Sequence, residues 1–375
     1  MNTDAPSETS AEPQVLGLLE RALSASCAAS LRAAVKLGLA DAMGDTPATA
    51  EDLATAIDAD PDALRRLLRA LTCHEVFAED AEGRFVHTEV SRLLRADTPS
   101  SLDQLVLWMT EPWTWELWGR LDESVRTGRD VFVDLHGRDF FEQVHTAWPE
   151  SAVVFDLAMT QASKQSATAI AGVLPLSGAR TVADIGGGQG LLLASLLERH
   201  PDVQGILFDR PDVVVGADAR LRDGGALSER VRLLPGDCRE EIPADVDVYV
   251  FKNILGMNDE DAVVVLSNVV KTARAGARVV IVENLVDDGP GQKFSTGMDL
   301  RMLLTVGGRK HTRRGLLKLV EQSGLVVRDV RAVDSYQHMI EATTPAQRRR
   351  NRHSRSSTPR TAGGVGPVNE KGRST

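Results

Sequence analysis

Apolar and polar positions change period along this chain, and the changes divide it. Residues 16–43 keep a helical period, rich in Ala and Leu and including Ala33-Ala-Val-Lys-Leu-Gly-Leu-Ala-Asp41, which predicts one long helix. Two shorter helical stretches follow. The first, 49–57, has acids crowding its first turn behind Thr49 and an imperfect capping box; the second, 61–73, opens with a proline. Val76-Phe77 and Arg84-Phe-Val-His87 then flank the acidic Glu79-Asp-Ala-Glu-Gly83, the pattern of a hairpin. Helices followed by a hairpin make a winged-helix arrangement. From Thr181 onward, short apolar runs alternate with helical segments. Strands are expected at 181–185, 203–209, 230–234, 246–251 and 277–283, with an antiparallel pair at 325–331 and 336–341. That alternation predicts a doubly wound, mostly parallel α/β sheet.

The most informative strand-to-helix junction is Asp184-Ile-Gly-Gly-Gly-Gln-Gly190. Glycines let the backbone take positive φ and let a ligand come close. The helix that starts at Leu191 offers unpaired N–H groups to whatever the turn cradles. The spacing excludes a nicotinamide fingerprint, because after Gly186 and Gly188 the third glycine position is Leu191. The next strand, Val203-Gln-Gly-Ile-Leu-Phe-Asp209, ends in an acid placed to accept both hydroxyls of a ribose. Ligands of open α/β sheets bind at the carboxyl ends of the strands. One rim therefore gathers Gly186, Gly188, Asp209, Asp237 (in Pro235-Gly-Asp-Cys238) and Lys252. Asp237 is suited to accept an exocyclic amine of adenine.

The composition, 42% hydrophobic and 26% charged, is that of a globular chain with an ample core, and 375 residues allow about two domains. A net charge of −10 argues against nonspecific nucleic-acid binding by the body. The positive charge is concentrated in residues 346–375, whose net of +7 leaves −17 elsewhere; a disordered basic tail is expected there, and a disordered leader at 1–13. No apolar run is long enough to span a membrane, and the polar start has no signal-peptide core. Cys27, Cys73 and Cys238 are scattered, which predicts no metal site and a reducing, cytoplasmic setting. All five tryptophans (Trp108, Trp113, Trp115, Trp118 and Trp148) fall in one stretch with Phe132, Phe140 and Phe141, although aromatics are only 4% of the chain. Core packing explains such a cluster, and so does a flat apolar pocket for an aromatic substrate.

The winged helix raises a second function class, a DNA-binding regulator, with Arg65, Arg66 and Arg69 on the candidate recognition helix. Asp58, Asp60, Asp62, Glu75, Glu79, Asp80 and Glu82 surround it and would repel a duplex. A dimer interface is the alternative use of the same fold.

Taken together, Asp184-x-Gly-x-Gly-x-Gly, Leu207-Phe-Asp-Arg-Pro211, Gly236-Asp237, Phe251-Lys252, Met298-Asp-Leu-x-Met302 and Gly307-Gly-Arg309 with Thr312 resemble the S-adenosylmethionine-dependent small-molecule O-methyltransferases of plant phenylpropanoid and actinobacterial antibiotic pathways. The resemblance spans residues 16–343. It implies a C-terminal Rossmann-like class I methyltransferase domain with a mostly parallel seven-stranded sheet, preceded by a helical, winged-helix dimerisation domain. It also implies S-adenosylmethionine as cofactor, a homodimer and a small aromatic or polyketide-like substrate, with no nucleic acid or membrane involved. The expected boundaries are 14–165 for the dimerisation and lid domain and 166–344 for the cofactor domain. The cofactor set it implies is Asp184, Gly186, Gly188, Asp209, Asp237, Cys238 and Lys252.

The departures from the family pattern bear on the chemistry. Where the family writes Leu-His-Asp-Trp, this chain has Leu255-Gly256-Met257-Asn258, so the usual histidine base is absent. The family's first orienting carboxylate is kept as Glu283. The second falls on Lys310, a charge reversal, and Cys238 replaces an aromatic beside the adenine acid. Lys310 and His311 are candidate replacements for the base, although Lys310 reads equally well as a solvated surface lysine. Three outcomes stay open: methyl transfer by proximity without a base, a non-methylating enzyme (hydroxylase, decarboxylase or cyclase) that keeps S-adenosylmethionine, and an inactive or regulatory subunit.

Overall fold

The computed structural model describes residues 12–346; all but the start of the expected tail and all but the end of the expected leader lie outside the described residues. Residues 12–13 already belong to a helix, Glu12–Ala22. The single long helix expected over 16–43 is three: Glu12–Ala22, Ser24–Lys36 and Leu39–Met43. The chain breaks at Leu23 and again at Gly38, whose φ of 62° is left-handed and ends the helical run. The helix Ala50–Ala56 closes a full capping box, Thr49 with Asp52, where an imperfect one was expected. Pro61–Cys73 is capped by Asp60 and buries Leu64, Leu68 and Leu71. The hairpin pairs β1 (Phe77–Glu79) with β2 (Phe85–His87), in the winged-helix arrangement expected. Arg65 of the candidate recognition helix is bonded to Glu51.

Between Asp103 and Val173 the chain is helical. The last of these helices, Pro149–Val173, starts with proline in its first turn and runs 25 residues. The expected domain boundary at 165/166 falls inside it. It packs on both Asp103–Met109 and Leu191–Arg199, tying the helical half to the sheet half.

The sheet has seven strands: β3 (Thr181–Ile185), β4 (Gln204–Asp209), β5 (Val231–Pro235), β6 (Val248–Lys252), β7 (Arg278–Asn284), β8 (Val326–Ala332) and β9 (Gln337–Thr343). Their order is β5-β4-β3-β6-β7-β9-β8, parallel through β7, with β9 antiparallel to β7 and β8 antiparallel to β9. β3, β6 and β7 are buried on both faces, which is why their sequences are unbroken runs of Val, Ile, Ala and aromatics rather than alternating patterns. Side chains from opposite faces of these strands feed two core clusters, one around Tyr249, Phe251 and Ile281, the other around Val182, Val250 and Leu193. Because the strands run parallel, their carboxyl ends line up on one rim, with Asp184, Asp209, Lys252 and Glu283 at or near their tips. Among the described residues no helix is long and apolar enough to cross a membrane, and no cluster of side chains is arranged to hold a metal.

Candidate active site

The glycine loop leaves β3 and enters the helix Leu191–Arg199, whose first turn carries no side-chain cap and no acid. A Cβ at Gly187 would lie 2.6 Å from both Asp184 Cγ and Leu207 Cδ1, so only glycine fits. At Gly188, with φ of 60°, a Cβ would meet nothing within 4 Å, so the loop presents bare backbone to open space. Asp209 closes the other side. Its Oδ2 accepts the Gly188 N–H at 2.8 Å and its Oδ1 accepts the Arg210 N–H at 2.7 Å. This pins the carboxylate while leaving lone pairs free. Burial raises its pKa despite those two amides.

Asp184 is fully buried, and neither of its oxygens meets a donor in hydrogen-bonding geometry. Burial pushes its pKa up to about 6; the Lys252 ammonium opposes this, the Asp209 charge adds to it, and the Leu193 amide helps only from outside bonding geometry. An orphaned carboxyl in a glycine cradle is what a cationic ligand group would satisfy. The residues present therefore fit S-adenosylmethionine, which carries both an ammonium and ribose hydroxyls.

On the adenine side, Asp237 is occupied by its neighbour. Arg239 donates to it from the backbone at 2.8 Å and from the guanidinium at 2.5 Å, and this pairing holds the carboxyl below its usual range. Cys238 is partly buried against the core cluster, and its thiol is pushed up to about 11 by burial and the nearby acids. It offers apolar surface rather than a nucleophile. Asn268, which sequence reasoning missed, holds this loop by donating to the Cys238 and Arg239 carbonyls at 3.2 and 2.9 Å. A lone amide on the apolar face of the helix Asp259–Thr272 was its only signal.

The base position is filled. A Cβ at Gly256 would lie 2.5 Å from Met302 Cε and 3.1 Å from the Arg309 carbonyl. The Gly256 carbonyl accepts the Arg309 N–H at 2.9 Å, and a Cβ at Gly308 would fall 2.2 Å from that same oxygen. Two backbone segments thus touch where the family carries an imidazole.

Lys310 is buried rather than solvated, which corrects one of its two expected readings. Its Nζ donates to Glu283 Oε2 at 2.9 Å, with both side chains almost wholly out of solvent. Glu283 Oε1 accepts the Leu255 N–H at 3.1 Å, so each of its oxygens holds one donor. His311 is buried too. Its Nε2 lies 2.8 Å from the Leu255 carbonyl, which places the ring proton on Nε2 and leaves Nδ1 4.0 Å from Asp259. It ties the loop through Nε2 and leaves Nδ1, the basic nitrogen of this tautomer, facing Asp259. Lys252, on the strand between those of Asp184 and Glu283, is partly buried, makes no ion pair among the described residues, and touches Ser163 at 3.4 Å. Burial lowers its pKa, and both carboxylates counteract. Asn253 follows it with φ of 57°, a left-handed turn that Asn tolerates.

This fold and rim define a class I methyltransferase. The sequence matches the O-methyltransferase domain family over residues 118–326 and the O-methyltransferase dimerisation domain family over 19–97, and the chain belongs to the O-methyltransferase family. It is 34% identical to a mitomycin biosynthesis 6-O-methyltransferase of Streptomyces lavendulae, over 87% of this chain and 92% of that protein. Aclacinomycin 10-hydroxylase of Streptomyces purpurascens is 32% identical, over 82% of this chain and 83% of that protein. The solved structure of a methyltransferase of calicheamicin biosynthesis, in its S-adenosylhomocysteine-bound form, superposes with a TM-score of 0.81 at 32% identity. It covers 89% of this chain and 98% of that one. The cofactor is S-adenosylmethionine.

Three outcomes test this geometry. Glu283→Gln should cost about 3–5 kcal/mol of unfolding free energy by stranding Lys310, whereas Glu283→Gln with Lys310→Met should recover most of it; equal losses in denaturant melts would refute the pairing. The raised Asp184 pKa means the folded state holds a proton that the unfolded state loses near pH 4. Stability of the cofactor-free protein should therefore fall by ~3 kcal/mol at most as pH rises from about 4 to 6, and that slope should be missing in Asp184→Asn. Gly256→His should lower the unfolding free energy by about 1–3 kcal/mol through overpacking, read in denaturant melts, without raising turnover; a faster enzyme would show that the space is not closed.

Proposed function

We propose that the protein transfers a methyl group from S-adenosylmethionine to a hydroxyl of an aromatic or polyketide-like secondary metabolite, without a histidine base. When bound, the cofactor supplies an electrophilic methyl group. Asp184 would hold it through its unspent carboxyl and Asp209 through its free lone pairs. The chain's own part in the chemistry is to position the acceptor and exclude water.

The observation that carries this is the closed space at Gly256 beside the Glu283–Lys310 pair. With Glu283 held in its ion pair by Lys310 and His311 tied through Nε2 to the Leu255 carbonyl, no protein base is assigned at this position. The acceptor must arrive ionised or lose its proton to water, which favours acidic phenols. Lys252, a cation on this rim with no ion pair among the described residues, favours an anion there.

The non-methylating alternative keeps one supporting fact, the relative named as a hydroxylase. The family match and the methyltransferase relatives favour methyl transfer. A homodimer is supported by the dimerisation-domain match and by the helix Glu12–Ala22, which buries none of its residues and exposes Val15, Leu16, Leu18 and Leu19. Nothing in this function calls for nucleic acid.

The test uses methyl-labelled S-adenosylmethionine and a series of hydroxyarenes of graded acidity. Label should appear in the aromatic product, and the pH at which rate reaches its plateau should track the acceptor's own pKa. A pH profile that is the same for every acceptor would reveal a protein base and sink the mechanism. Asp209→Ala should weaken cofactor binding by about 1.5–3 kcal/mol in calorimetry.

A further inference from the structure

Asp184 is a buried acid whose proton the proposed function leaves unassigned. It lies on β3 just before the glycine loop, 1% exposed, and neither of its oxygens meets a donor in hydrogen-bonding geometry. The loop rests directly on it: a Cβ at Gly187 would fall 2.6 Å from its Cγ and 2.7 Å from its Oδ2. The charged groups of the surrounding elements can be counted. Asp209 comes from β4, Lys252 from β6, Glu283 from β7 and Lys310 from the loop before the helix Arg313–Gln322. The first turn of the helix Leu191–Arg199 contributes no charged side chain.

Glu283 is neutralised by Lys310 at 2.9 Å. Asp209 has two backbone amides to spread its charge. Lys252 is the one cation left for Asp184 and Asp209 together, and it forms an ion pair with neither among the described residues. With every group ionised, this rim carries one negative charge too many, in a setting where an unpaired charge is costly. A proton removes the excess. Asp184, the acid with no donor to lose, is where that proton costs least. Burial accordingly raises its pKa to about 6, opposed by Lys252 and assisted by Asp209.

We propose that Asp184 takes up the cofactor in exchange for a proton: its O–H bond breaks as the methionine ammonium enters the glycine loop, the proton leaves to solvent, and the carboxylate left behind pairs with the ammonium. The exchange rests on the cofactor reading of this loop but not on methyl transfer. It makes cofactor capture sensitive to acidity whatever acceptor the enzyme uses. Above about pH 6 the proton is already gone and affinity is full. As pH falls below that value, each unit costs about tenfold in affinity, because the proton must first be displaced.

Calorimetry on the full-length protein reads this without turnover. S-adenosylhomocysteine keeps the ammonium, whereas 5′-methylthioadenosine keeps the adenosine and has no amino-acid end. Each would be titrated at about pH 5, 6 and 7.5, in buffers of different ionisation enthalpy so that released protons are counted. S-adenosylhomocysteine should release about half a proton at pH 6 and about one at pH 5, and its affinity relative to methylthioadenosine should fall about tenfold from pH 7.5 to 5. Both ligands carry the ribose, so titration of Asp209 cancels in that ratio. Asp184→Asn should weaken S-adenosylhomocysteine, abolish the proton release and flatten the ratio. Melting curves establish that the variant folds; if it does not, the wild-type ratio and proton count decide. A ratio independent of pH in the wild type, or a slope that survives in a folded Asp184→Asn, would overturn the exchange. If that variant is nevertheless weaker than wild type at pH 7.5, the ammonium contact stands and only the exchange is lost; equal affinities there remove both. Proton uptake in place of release would trace to Lys252 and overturn the exchange as well.

Discussion

Charge burial at the sheet rim is the constraint the rest of the site depends on. Asp184, Lys252, Glu283 and Lys310 alternate in sign from β3 across β6 and β7 to the loop before the helix Arg313–Gln322. Any of them alone would be prohibitive in so apolar a setting. Only Glu283 and Lys310 are joined directly; Lys252 and Asp184 share a weaker field, and Asp184 ends the series without a donor. The imbalance is therefore concentrated beside the glycine loop, where an orphaned carboxyl would be satisfied by a cationic group. Stability given up at such a place is the trade expected of a functional site.

The same logic orders the scaffold. The strands carrying these charges are the ones buried on both faces, so the low-dielectric walls that make the charges costly also hold them still. The helix Pro149–Val173 ties these walls to the helical half, so the aromatic cluster and the rim belong to one packed unit. His311, which looked like chemistry, instead secures the Leu255 carbonyl so that the loop carrying Gly256 stays in contact with Arg309.

Much of this was legible in the sequence. The sheet strands appear within a residue or two of where apolar runs predicted them, most clearly β3, β6 and β7, because fully buried parallel strands write continuous hydrophobic signals. The glycine loop and the trailing Asp209 were readable for a related reason: their chemistry is local, set by spacing along one strand and turn. What escaped depends on contacts between segments far apart in sequence. Lys310 pairs across 27 positions and Arg301 reaches Trp108 across 193; nothing in a linear pattern distinguishes such residues from solvated ones. The break at Gly38 was missed because one left-handed glycine outweighs the surrounding helix formers, and the break at Leu23 carries no glycine or proline to mark it.

The contact between Gly256 and the Gly308–Arg309 backbone sets what a larger residue at 256 would require. A Cβ there would lie 2.5 Å from Met302 Cε, the free end of a flexible side chain that can turn aside, and 3.1 Å from the Arg309 carbonyl, which must give by a few tenths of an ångström. The backbone contact, rather than Met302, is the part of the closure that resists an imidazole, so a side chain at 256 is admitted only as far as the 308–309 segment yields.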